Sequence, residues 1–169
     1  IDAAEESDTI LVTDGTYAPI DTTNKAITIR SVNGAKKTII DGGGAARCAT
    51  LGDFYSERKT VLEGFTLQNG YAKEYGGGAY RGTLTNCTLT GNSADWAGGG
   101  ASYSDLTNCT LTGNTAGYGG GGGAYGGTLS NCTLTGNSAN NDGGGAYGGT
   151  LTNCAVIANS AGYAGGVYD

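Results

Sequence analysis

Four copies of one phrase, Leu-x-Asn-Cys-x-Leu/Val-x-x-Asn-x-Ala, begin at Leu84, Leu106, Leu129 and Leu151. Their cysteines stand at Cys87, Cys109, Cys132 and Cys154, in steps of 22, 23 and 22 residues. Each copy is followed by a glycine run and then Ala-Tyr or a close variant. A fixed period in the twenties constrains the fold more than any other feature of the chain. A unit that small cannot bury its apolar face alone and must lay it on an identical neighbour, which makes a solenoid.

Side-chain alternation inside one copy gives its geometry. Leu84, Cys87, Leu89 and Ala94 are expected to point inward, and Thr85, Thr88 and Thr90 outward. Asn86 and Asn92 read as corners, because asparagine tolerates the left-handed backbone of a sharp bend. Glycines 98–100 supply a thin third strand ending on Ala101. Three short strands joined by tight corners make one coil of a parallel β-helix. Asn86, Asn108, Asn131 and Asn153 are then expected to stack as a ladder of amides, and so are Asn92, Asn114, Asn137 and Asn159.

Equivalent residues of successive coils lie one strand spacing apart, about 4.8 Å, so Cys87, Cys109, Cys132 and Cys154 form a column. A free cysteine buries readily as a small hydrophobe, and a reduced column is expected rather than a disulfide framework. In-line thiols do not make a tetrahedron, and the chain has no histidine, so no metal and no cofactor are expected. Cys48 stands outside the repeat register and reads as an ordinary core residue.

Upstream of the repeats the pattern is less regular. Residues 1–8 read as the end of an amphipathic helix that caps the first coil. Strands are expected over 9–13, 26–32 and 38–41, the second by its period-two alternation. The stretch 59–70 is a degenerate first copy, with Leu62, Phe65, Leu67 and Ala72 in the places of Leu84, Cys87, Leu89 and Ala94. The whole chain, 1–169, therefore reads as one all-β domain of about seven coils. It comprises a partial cap (1–8), irregular coils (9–61) and regular repeats (62–169), and reads as a piece of a longer chain or a filament subunit.

These phrases resemble the right-handed parallel β-helix repeat proteins of bacterial surfaces, in the pectin-lyase-like superfamily. The resemblance rests on the four repeats with their Gly-Gly-Gly-Ala-Tyr segments, on Ile39-Ile-Asp-Gly-Gly43, and on Leu62-Glu-Gly-Phe-Thr-Leu-Gln-Asn-Gly70. It also draws on the opening Ile1-Asp-Ala-Ala and Gly15-Thr-Tyr17. It spans nearly the whole chain and implies the fold, its right-handed winding and an extracellular or cell-surface location. It says little about activity, since that superfamily holds lyases, hydrolases, adhesins and structural repeats.

Charge narrows the functional classes. All Lys and Arg lie at or before Arg81, and beyond it only Asp95, Asp105, Asp142 and Asp169 are charged. A net charge of −6 with no basic stripe argues against nucleic acid and against anionic membrane surfaces. No apolar run reaches the roughly 20 residues of a membrane span.

Cleavage of a glycosidic bond needs paired carboxylates at a set separation. The acids of the repeats occupy non-equivalent positions, and Asp41, Asp53, Glu57 and Glu63 with Arg47, Arg58 and Lys59 match no lyase pattern. Outward aromatics are a second candidate. Tyr80, Tyr125, Tyr147 and Tyr168 follow the glycine strand, with Tyr103 displaced by one residue in the second coil. Trp96, Tyr118 and Tyr163 form a further column, broken by Asn141. Such rings can stack on sugars, or can simply cover the glycine strand.

Thr88/Thr90, Thr110/Thr112 and Thr133/Thr135 make Thr-x-Thr rows like those of ice-binding solenoids. Asn86-Cys-Thr88, Asn108-Cys-Thr110 and Asn131-Cys-Thr133 are glycosylation sequons, although amides turned inward at a corner would be structural. The reading that follows is a non-enzymatic structural or adhesive solenoid that stacks end to end on copies of itself. The alternatives are a carbohydrate-binding or carbohydrate-cleaving β-helix, and an ice-binding face. The partners expected are the chain itself, carbohydrate or covalent glycans.

Overall fold

The computed structural model describes residues 1–55 and 59–169 and is a parallel β-solenoid of about seven turns. A representative coil runs through strands Thr83–Thr85, Thr88–Thr90, Ser93–Ala94 and Ala101–Ser102. Their equivalents stack into four parallel sheets, numbered here in the order the chain meets them. The first, second and fourth sheets have seven strands each, and the third has four. Where three strands per coil were expected, the regular coils therefore carry four, the extra one being the short segment that holds Ala72, Ala94, Ala116 and Ala139.

Register follows the repeat. Leu84 pairs with Leu62 and Leu106, and Leu89 with Leu67 and Leu111. The stretch 59–70 is thus a true coil, with Phe65 below Cys87: the Thr88 amide donates to the Phe65 carbonyl at 2.9 Å. Leu62, Leu67, Leu84, Leu89, Leu111, Leu129 and Leu134 are fully buried, and the inward alanines of the glycine strand close the core opposite them. The expected strands also form, at Thr9–Val12, Thr28–Ser31 and Thr38–Asp41.

Among the corners of each regular coil, the two that carry the repeat's asparagines both need a left-handed residue. Asn86, Asn108, Asn131 and Asn153 supply the first, at φ of 53–54°. At the second corner the left-handed residue is not the asparagine expected there but the one before it: Gly91, Gly113, Gly136 and, in the last coil, Ala158. Asn92, Asn114 and Asn137 then follow the bend and turn into the core, where they are buried.

The glycine strand is thin because it lies against neighbouring backbone. A methyl group on Gly123 would sit 2.5 Å from the Gly145 carbonyl oxygen and 3.1 Å from the Asn137 amide nitrogen.

The capping helix expected at 1–8 is not formed, and no helix occurs among the described residues. A stretch this short does not repay helix nucleation, and its carbonyls have a better acceptor role. Lys25 Nζ donates to the carbonyls of Ile1, Asp2 and Ala4 at 3.0, 2.8 and 2.7 Å. The segment folds instead into two turns, closed by Ala4 N to Ile1 O at 3.1 Å and Asp8 N to Glu5 O at 3.2 Å. Ile1 helps cover an apolar hollow of about 170 Å³ over the first coil, together with Ile10, Val12, Tyr17 and Ile20.

Candidate functional site

The two asparagine rows that look alike in sequence have different fates. Asn92, Asn114, Asn137 and Asn159 form a hydrogen-bonded ladder along the axis. The Nδ2 of Asn114 donates to Asn137 Oδ1 at 2.9 Å and to the Leu89 carbonyl at 3.0 Å. The backbone N–H of Asn114 donates to the same Asn137 Oδ1, at 2.9 Å. Asn137 repeats the pattern on Asn159 and Leu111.

Asn86, Asn108, Asn131 and Asn153 stand exposed at their corners, and no side-chain hydrogen bond joins them among the described residues. Their role is conformational: they occupy the left-handed bend. The inward orientation that favoured a structural reading of the three sequons is thereby corrected. The Gly-Asn pairs 91–92, 113–114 and 136–137 were the signal that separates the rows, because a glycine already supplies the bend and frees the asparagine to turn inward.

Cys87, Cys109 and Cys132 are buried, Cys154 is partly so, and all are free thiols. Each donates to the carbonyl of the leucine one coil back: Leu62, Leu84, Leu106 and Leu129, at 3.4 to 3.6 Å. The neighbouring Cys109 thiol and burial both push the Cys132 thiol up.

Cys48 is more than a generic core residue. Gly70 precedes Asn92 in the ladder and has no side chain, and a methyl group placed there would lie 2.8 Å from Cys48 Sγ. The thiol fills the vacant rung, 3.6 Å from Asn92 Oδ1, and donates to the Gln68 carbonyl at 3.2 Å. Burial pushes its pKa up to about 12.

The outward tyrosines of the fourth sheet form a continuous ladder. Tyr125 and Tyr147 stack at 5.2 Å and 13°, and Tyr147 and Tyr168 at 5.3 Å and 21°. Ser102 interrupts the column in register, but Tyr103, one residue on at φ 54°, swings back over the gap. Its ring meets Tyr80 at 6.1 Å, Tyr75 at 5.6 Å and Tyr125 at 5.4 Å. Burial against these phenols raises the Tyr103 pKa. Guanidinium groups close the far end: Arg47 lies 4.8 Å from the Tyr80 ring, and Arg81 lies 4.9 Å from Phe54 and 5.7 Å from Tyr80. The sequence shows the displacement of Tyr103 but not its return to the ladder, nor the place of Tyr75 and the two arginines beside it, because none of them keeps the repeat register.

Trp96, Tyr118 and Tyr163 remain exposed, at 47%, 70% and 84%, and their rings do not pair with one another among the described residues. The Trp96 indole lies over the backbone of Gly119. Beside it, a groove of about 450 Å³ opens over the third sheet, lined by Ser93, Asp95, Thr115, Gly117, Tyr118 and Asn140. Asp95 at its edge accepts from Tyr71 Oη at 2.7 Å, which raises the Tyr71 pKa.

The charged residues considered for catalysis are scattered, and several have structural partners. Lys59 Nζ meets Asp105 at 3.1 Å, and Arg30 Nε meets Glu63 at 2.6 Å. Gln68 first, then the Gly43 amide and Asn69, hold the Asp41 pKa down. The Asp53 carboxylate caps the Tyr55 amide at 2.7 Å. Arg47 Nε donates to the Gly76 carbonyl at 2.9 Å. Glu57 and Arg58 lie outside the described residues.

On the second sheet Thr88, Thr110 and Thr133 align, as do Thr90, Thr112 and Thr135. Thr66 with Gln68 precedes them, and Ala155 with Ile157 follows. Comparisons with protein-family models, curated proteins and solved structures returned no match.

Proposed function

We propose that this chain is a non-enzymatic structural or adhesive solenoid of the bacterial cell surface, wound right-handed, that works through axial stacking and the faces its coils present. The observation that carries the reading is the Asn92–Asn114–Asn137–Asn159 ladder. Each coil hands the same pair of donors to the next coil's Oδ1, in unchanged register. A further coil of this kind, whether from the same polypeptide or from another copy, would seat on the strands Thr150–Thr152, Ala155–Ile157 and Val167–Tyr168 by the same bonds. The surface location and the handedness rest on the resemblance of the repeat to surface β-helix proteins.

Sedimentation velocity across a hundredfold concentration range, with electron microscopy of the same samples, tests the reading. Particles of one width that lengthen with concentration are expected. A single monomeric species throughout, with no elongated assemblies in the micrographs, would oppose it.

The groove beside Trp96 favours a second reading, carbohydrate binding. It sets a carboxylate, hydroxyls and an amide next to two exposed aromatic rings, the combination that holds a sugar by stacking and hydrogen bonds. Saturable quenching of Trp96 fluorescence by oligosaccharides, lost in Tyr118→Ala, would support it. Release of new reducing ends would support a cleaving relative instead.

A further inference from the structure

The tyrosine ladder changes character along its length. Tyr125, Tyr147 and Tyr168 stand on the fourth sheet in strict register. Their rings face one another, with 13° and 21° between planes at 5.2 and 5.3 Å. Nearer the arginines the rings cross instead: Tyr80 and Tyr103 meet at 89°, Tyr103 and Tyr125 at 85°, and Tyr75 and Tyr103 at 57°. The facing stretch lies on the coils that are held least. The strands of the last coil pair on one side only. Leu151, Cys154 and Val156 are partly buried there, whereas Leu129, Cys132 and Leu134 one coil back are buried.

We propose that Tyr125, Tyr147 and Tyr168 form a dityrosine cross-linking site, at which a haem peroxidase with hydrogen peroxide joins Tyr147 to one of its two neighbours and fastens the last coils together. Register selects the pairs. Neighbouring coils hold these residues one strand spacing apart, about 4.8 Å, and the near-parallel planes bring the ring carbons next to each oxygen face to face. Rings joined through those carbons keep their Cβ-bearing ends side by side, as the two coils present them. Tyr125 and Tyr147 are half-buried and Tyr168 is 40% exposed, so each ring stays open to electron transfer while its neighbour holds it in place.

The chemistry balances. The oxidised haem takes one electron and one proton from each of two phenols. The two phenoxyl radicals pair their electrons in one C–C bond between carbons ortho to oxygen. Each of those carbons then passes its hydrogen to the oxygen beside it, which restores both aromatic rings and both O–H groups. Two hydrogens leave the protein, and one hydrogen peroxide becomes two waters. The link closes a loop between residues 22 apart (Tyr125 and Tyr147) or 21 apart (Tyr147 and Tyr168). Like a disulfide, it restricts the unfolded chain, and it does so at the end where the sheet edges are open.

The test treats the whole chain, at dilute concentration, with a haem peroxidase and hydrogen peroxide. Dityrosine fluorescence should appear in protein that still runs as a monomer under denaturing conditions. Cleavage before aspartates should then yield fragment 105–141 joined to 142–168, or fragment 142–168 lighter by two hydrogens. Tyr147→Phe keeps the ring stack but removes both facing phenol pairs, and should lose both products. The triple variant Tyr55→Phe, Tyr118→Phe, Tyr163→Phe removes the most exposed tyrosines (96%, 70% and 84%) and should retain them. The linked monomer should unfold at a higher urea concentration than the unlinked chain. Dityrosine found only in covalent dimers, equal monomer yields from Tyr147→Phe and the wild type, or an unchanged urea midpoint would overturn the proposal.

Discussion

Asn92 donates twice to one atom of Asn114: its backbone N–H and its Nδ2 both reach Asn114 Oδ1 at 3.0 Å. A single side-chain oxygen thus satisfies a buried backbone amide and a buried side chain of the coil before it. Leaving such groups unpaired costs about 1–3 kcal/mol each. Asn114→Ala removes the acceptor of both Asn92 donors and one donor to the Leu89 carbonyl, and is expected to lower stability by about 4 kcal/mol, at the high end for a point substitution. Asn108→Ala, at the exposed left-handed corner, should cost about 1 kcal/mol, the strain of placing alanine there. The equivalent second-corner position already holds Ala158 at φ 51°. Urea unfolding midpoints of the two variants check the difference; equal losses would contradict it.

The glycine strand gives a second contrast. Gly123→Ala pushes a methyl group against the Gly145 carbonyl and the Asn137 amide, so it should destabilise by about 3 kcal/mol or prevent folding. At Gly136, φ is +64° and nothing lies within 4 Å of the added carbon, so only the left-handed penalty of about 1–2 kcal/mol applies. Thermal unfolding of the two alanine variants side by side measures the gap.

Stability is expected to fall at alkaline pH through the buried thiols. The Cys48 pKa is raised from 9.0 to about 12 by burial. Its contribution is therefore complete below pH 9. It declines as pH rises from 9 towards 12, where the unfolded chain has lost the proton and the folded chain still holds it. The slope from one such group is about 1.4 kcal/mol per pH unit. Unfolding free energies of the wild type and Cys48→Ala between pH 7 and 11 should diverge in slope only above pH 9, with the variant flatter.

Stacking in the tyrosine ladder should be measurable as coupling. Tyr125 and Tyr147 lie nearly parallel at 5.2 Å. A double-mutant cycle with Tyr125→Ala and Tyr147→Ala is expected to give about 0.5–1.5 kcal/mol of interaction. Zero coupling would mean that the rings only cover the glycine strand independently.

Much of this architecture could be read directly from the repeat. The period set the coil, and alternation placed Leu84, Cys87 and Leu89 inside. What stayed hidden depended on contacts between residues out of register. Tyr103 and Tyr75 join the aromatic ladder only because neighbouring coils bring them to it. Lys25 draws the first residues into turns from a position far along the chain, which local helical pattern could not reveal. Asn86 and Asn92 look equivalent as letters, and only the Gly91 bend sends one out and the other in. The groove beside Trp96 combines residues of three coils, so no single stretch announces it.

The division between the two asparagine rows carries the account, since the ladder sets register, axial direction and the seat for any further coil. Side-chain amide hydrogen exchange, followed by ¹⁵N NMR, reads it directly. Slowly exchanging Nδ2 protons are expected for Asn92, Asn114 and Asn137, and fast exchange for Asn86, Asn108, Asn131 and Asn153. Equal protection of the two rows, or protection of the Asn86 row instead, would contradict it.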